Sequence, residues 1–152
     1  MKILSLTPLL LLAAITSAWS HCQVPCGIFH DDLRFHMMLE DQETVAKAGT
    51  LVRELAGKTD AESINQSTRW IINKESHAQN IQDTIAEYFL AQRIKSDAEN
   101  YDELLKAAHA VTVAAMKTKQ TVDTEQADTL KNAILALYKA YMGKEYSAEH
   151  TH

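Results

Sequence analysis

From Gly27 to the last residue the chain carries no proline, and its glycines stand only at positions 27, 49, 57 and 143. Hairpins and tight loops need those two residue types as punctuation, so the chain is restricted to long helices joined by short links. Apolar spacing divides it into four. The first helix is predicted from about Asp32 to Ala56, capped by Asp31 or Asp32 and stopped by Gly57, with Leu33, Met37, Thr44, Ala48, Leu51 and Leu55 on its inner face. The second runs from about Ala61 to Ile94 behind Asp60 as cap. Its seam, Ile64, Ile71, Ala78, Ile81, Ile85 and Tyr88, lies near a seven-residue repeat. The third, from near Asp97 to about Lys119, buries Tyr101, Leu104, Leu105, Ala108, Val111 and Ala115, and Thr121-Val122-Asp123 makes the turn after it. The fourth spans Thr124 to Met142, with Leu130, Ile134, Leu137 and Tyr141 inward and Gly143 at its end. The expected fold is all-α, an antiparallel four-helix bundle over residues 31–143 followed by a flexible tail at 144–152.

Residues 1–20 begin with Lys2, continue through the apolar run Leu9 to Ile15 and finish Ala18-Trp19-Ser20. That is the pattern of a secretory signal peptide cleaved after Ser20, and its apolar run is too short for a spanning helix. The mature chain is therefore expected to be exported, to a periplasm or the extracellular space, with no membrane attachment after the leader is removed. The alternative is a pro-segment cut off inside the cell by a dedicated protease. The formal net charge is −5, and loss of Lys2 makes it one unit more negative. Such a balance argues against nucleic acid or an anionic membrane as partner. Asn65-Gln66-Ser67 matches a glycosylation acceptor, but on a predicted helix it reads as coincidence.

The stretch directly after the leader carries the chemistry: His21-Cys22-Gln23-Val24-Pro25-Cys26-Gly27-Ile28-Phe29, with both cysteines of the protein. Cleavage after Ser20 would make His21 the first residue, putting a free amine, an imidazole and two thiols within six positions. The amine and the deprotonated amide of Cys22 are nitrogen donors, and Cys22 and Cys26 supply thiolates. Two nitrogens and two sulfurs in a plane suit Ni(II) or Cu(II), whereas zinc prefers a tetrahedron. Pro25 fixes one torsion and Gly27 permits an unusual one, so the peptide can curl Cys26 back towards residues 21 and 22 and leave the axial site to the His21 ring. By spacing alone, two cysteines separated by three residues in an exported chain fit a small disulfide loop equally well.

His-Cys-x-x-Pro-Cys-Gly at a processed terminus resembles the nickel hook of the nickel superoxide dismutases. The similarity continues through Asp32-Leu33-Arg34-Phe35 and Met38-Leu39-Glu40-Asp41 and covers roughly residues 21–140. The resemblance implies a four-helix bundle with an N-terminal hook at residues 21–30, nickel as cofactor, superoxide as substrate and a homohexamer of bundles. Dismutation needs one metal that superoxide both oxidises and reduces. Thiolates and an anionic amide nitrogen donate charge and stabilise Ni(III), and the axial His21 ring adds to that. With superoxide as substrate, lysines and arginines are expected to group near the hook against the overall negative field.

Family members place a carboxylate early in the first helix to orient the axial ring, and here the register puts His36 at or beside that position. Neutral His accepts a hydrogen bond more weakly than a carboxylate, and Glu40, one turn on, is the substitute. His77, on the second helix, aligns near a further polar partner of the axial ring. Phe29 stands where the family carries Tyr, keeping the wall of the site without its hydroxyl. Tyr88, in Glu87-Tyr88-Phe89, resembles a second family tyrosine that faces the site, and with ordered water and backbone groups it is a candidate source of protons for peroxide. His30, His109, His150 and His152 carry no assigned role, and Met37 and Met38 read as packing. Two other functions compete with the dismutase: an exported nickel- or copper-binding protein with weak or no turnover, suggested by His36 and Phe29, and a disulfide-looped helical interaction module.

Overall fold

A computed structural model describes residues 31–147. Within them the chain forms α1 (Asp31–Leu55), α2 (Ala61–Asp83), a π-helical continuation of α2 (Thr84–Arg93), α3 (Tyr101–Gln120) and α4 (Thr124–Met142), with no strand among the described residues. The expected all-α bundle is what the chain adopts. α1 and α3 each pack on both α2 and α4, so the four helices close a ring around one core. Cross-links fix every neighbour as antiparallel. Asp41 meets His77 while Asp31 meets Arg93, Lys74 meets Thr118 while Gln82 meets Thr112, and Gln42 meets Ala127 while Asp32 meets Tyr138.

The helix limits follow local chemistry. Asp60 accepts a bond from the Ser63 amide at 2.9 Å and Asp123 one from the Glu125 amide at 3.2 Å, each satisfying a first-turn donor. Gly57 and Gly143 have φ of 81° and 69°, the left-handed conformation that ends a helix without a Cβ clash. α3 begins at Tyr101 rather than near Asp97, because residues 95–100 turn instead of winding.

The inner face of α1 differs from expectation. Phe35, Met38, Leu39, Gln42, Val45, Ala48 and Gly49 are buried, while Leu33 and Met37 are 38% and 44% exposed. Both stripes have helical spacing. Phe35 selects between them, since its ring meets Phe89 at 4.7 Å and Tyr138 at 5.0 Å in the aromatic centre of the core. The seam on α2 also fails at its N-terminal end, where Ile64 and Ile71 are exposed and burial begins only at Lys74. The reason is length. Gly49 lies against Val122, in the α3–α4 link, so the rest of α1 and the first half of α2 project past that link as a two-helix overhang. Lys74 marks where the overhang begins: its Nζ bonds the carbonyls of Thr118 at 2.5 Å and Lys119 at 2.8 Å, satisfying acceptors that α3 leaves open at its C-terminus.

Residues 144–147, expected to be part of a flexible tail, instead turn back onto the bundle. Tyr146 stacks edge-on against Tyr138 at 5.2 Å, because it finds apolar and polar partners at once. Residues 148–152 lie outside the described residues.

Candidate metal centre

His21, Cys22, Cys26 and Phe29 lie outside the described residues. The structure does describe the surface beside the point where the hook would join α1, and the flanking residues singled out from the sequence.

Asp31, the first residue of α1, is the centre of a knot. Its carboxylate accepts bonds from Arg93 Nη2 at 2.5 Å, from the Tyr141 hydroxyl at 2.8 Å and from the Tyr88 hydroxyl. Burial acts to raise the Asp31 carboxyl, but the bonds from Arg93, Tyr88 and Tyr141 more than offset it and hold the group below the usual carboxylate range. Tyr88 responds oppositely. Burial and then the bond to Asp31 push its phenol up to about 12. Next to this knot Asp32 accepts from the Tyr138 hydroxyl at 2.7 Å, and burial followed by that bond pushes Tyr138 to about 12 as well.

A groove of about 710 Å³ runs between α1 and the α2–π arm, and both Tyr88 and His77 line it. His77 Nδ1 is 2.5 Å from Asp41 Oδ1, which also accepts from Asn80 Nδ2 at 3.4 Å. That pairing leaves His77 Nε2 for other partners and fixes the ring through Asp41. Arg34 lies over the Tyr88 ring at 5.0 Å. Four carboxylates, Glu40, Asp41, Asp83 and Glu87, share the groove with Arg34. The expected grouping of cations against the overall negative field is therefore not found in this groove.

His36 is placed elsewhere. Its Nδ1 is 2.9 Å from the Tyr146 hydroxyl, and its Nε2 is 3.5 Å from Glu40. With Nδ1 engaged by Tyr146, only Nε2 is left for a further partner. The structure thus brings Tyr88 and His77 onto one groove and sets His36 against the C-terminal segment. Sequence reasoning misses three members of this surface. It gives Asp31 only the part of a cap, and Asp41 and Arg93 no part at all. Asp41 lies in the Met38-Leu39-Glu40-Asp41 stretch that carries the family resemblance, so a search there for a carboxylate to hold His77 could have found it.

Whether these residues suit a metal is answered by donor chemistry. Among the described residues no group of three or more His, Cys, Asp or Glu side chains could hold a metal ion. The two thiols of the chain both lie at positions 22 and 26, with a histidine immediately before them. That soft donor set fits nickel.

Compared with known families, residues 16–145 match the model described as nickel-containing superoxide dismutase. No curated protein and no solved structure matched the chain.

Proposed function

The chain belongs to the nickel-containing superoxide dismutase family, and from that membership we propose that its nickel is held at a processed N-terminus by the His21 amine and ring, the Cys22 amide and thiolate, and the Cys26 thiolate. Its activity is that of a superoxide dismutase and its cofactor is nickel. The observation that carries the assignment of ligands is the donor inventory: both cysteines lie at 22 and 26, and no metal-holding cluster occurs among the described bundle residues. Nickel, when bound, would supply the one-electron exchange by which two superoxide ions and two protons become dioxygen and hydrogen peroxide. The residues of the hook tune it, since thiolates and an anionic amide donate charge and bring the metal potential between the two half-reactions.

Residues of the bundle support the hook. Asp31 is only about five residues beyond Cys26, so the covalent chain keeps the two within about 18 Å, a range that includes the groove with Tyr88 and His77. His77, oriented by Asp41, and His36, oriented by Tyr146, are the proposed ring-nitrogen partners for the site. The acidic lining of the groove and the missing phenol at Phe29 support a second reading, a nickel-loaded protein of low turnover, which superoxide-decay assays on the loaded protein separate from an efficient enzyme. Export after cleavage at Ser20 and association of several copies complete the proposal. The resemblance implies six copies, and the exposed Ile64, Ile71 and Ile72 of the overhang supply apolar surface for assembly.

The deciding experiment is N-terminal sequencing of the mature protein with its metal content. The expected result is His21 as first residue and one nickel per chain. Cys22→Ser, Cys26→Ser, or a single residue left ahead of His21 abolishes both nickel uptake and activity. Full activity in the uncleaved protein, or nickel retained without Cys26, would overturn the assignment.

A further inference from the structure

The knot at Asp31 depends on an unusual backbone. Tyr88 and Arg93 are five residues apart, and on an α-helix that spacing turns two side chains about 140° away from each other. Here residues 84–93 are π-helical, ending with the Ile94 amide bonded to the Phe89 carbonyl at 2.8 Å, and the wider turn lets both side chains reach one carboxylate. The two oxygens divide the work: Oδ1 takes the Tyr88 hydroxyl, and Oδ2 takes Arg93 and Tyr141. Arg93 Nε also donates to the Tyr141 hydroxyl at 3.2 Å, closing the cluster. Arg34 covers the Tyr88 ring from α1.

A phenol has one proton to donate. We infer that Asp31 is a positioning residue for the reaction: by accepting the hydrogen bond that the Tyr88 hydroxyl donates while clamped by Arg93 and Tyr141, it turns the Tyr88 oxygen towards the groove as a hydrogen-bond acceptor. The inference rests on the reading of Tyr88 as the tyrosine that faces the nickel site. Its chemical consequence is selective. An oxygen that only accepts holds a species that brings a proton, which water and the peroxide product do and the superoxide anion does not. Tyr88 is then neither the proton source for peroxide nor an anchor for the anion. The raised phenol, caused first by burial and then by the Asp31 bond, agrees with a proton that is hard to remove.

The test is a carbon-13 NMR titration of the full mature protein labelled at tyrosine Cζ, with the Tyr88 signal assigned by its loss in Tyr88→Phe. In the wild type the signal titrates near the top of the alkaline range. In Asp31→Asn its midpoint falls by a pH unit or more. Wild-type Tyr88 titrating at the ordinary phenol value would overturn the inference even if Asp31→Asn failed to fold. Steady-state kinetics supply the second arm: Asp31→Asn and Tyr88→Phe each lower kcat/KM by about tenfold, and the double variant is no worse than either. Losses that multiply would show that Asp31 acts other than through Tyr88. Failure of the nickel assignment reads differently, because the titration does not require metal.

Discussion

Lys74, at 3% exposure, is a buried cation that donates to two main-chain carbonyls and pairs at 3.2 Å with the half-exposed carboxylate of Glu75. Lys74→Met keeps the packing of the stem and removes both bonds to the end of α3. The expected loss is about 1–3 kcal/mol in urea denaturation, the cost of leaving buried acceptors unpaired. The tyrosines around Asp31 and Asp32 make a separate prediction. Tyr88 is pushed to about 12 in the folded chain from an ordinary 10.0, so its contribution to stability is complete below pH 10.0 and is lost as pH rises through 12. Tyr88→Phe should therefore lose less stability than the wild type across that alkaline window, read as urea midpoints. Asp31 has the opposite sign. Its folded carboxyl lies below 3.8, so its contribution is complete above that value and disappears as acid takes the pH down through the folded one. The stability gap between wild type and Asp31→Asn, read as urea midpoints, should shrink as the pH falls below 3.8.

Among the helices, α1 poses the sharpest choice, because two apolar stripes compete for one core. Phe35 wins through its ring contacts with Phe89, Tyr138 and Tyr141. Phe35→Ala is expected to cost about 3–5 kcal/mol, whereas Leu33→Ala, on the exposed stripe, should stay within about 0.5 kcal/mol of wild type. Equal effects in thermal or urea unfolding would mean the inner face has been misassigned. The π-helical end of α2 shows the same competition. Its buried positions are Ile85 and Phe89, and the buried C-cap Ile94 follows five residues on with its amide bonded to the Phe89 carbonyl, a step that an α-helical or heptad template does not contain. That is why Tyr88 reads as part of the seam in the sequence although it lines the groove instead.

For the molecule as a unit, charge is the constraint on function. The chain is acidic overall, and the groove between α1 and the α2–π arm sets four carboxylates against Arg34. An anionic substrate approaching that groove is repelled, and salt screens the repulsion. kcat/KM for superoxide should therefore rise between about 10 and about 150 mM ionic strength, opposite to an enzyme that steers its substrate by attraction. Stopped-flow decay of superoxide at several salt concentrations reads this directly, and a fall would place the working approach on a surface other than this groove.

Helical class, four-helix count, the Asp60 cap of α2 and the glycine stop of α4 were all legible along the chain, because each depends on neighbours within a turn or two. So was the family, through contiguous hook residues whose donor chemistry needs no tertiary partner to be recognised. The inner face of α1, the exposed start of α2, the return of Tyr146 and the convergence of Asp31, Tyr88, Arg93 and Tyr141 were not. Those features pair residues up to 110 positions apart, and which of two equally periodic faces turns inward depends on the shapes the other helices bring to meet it.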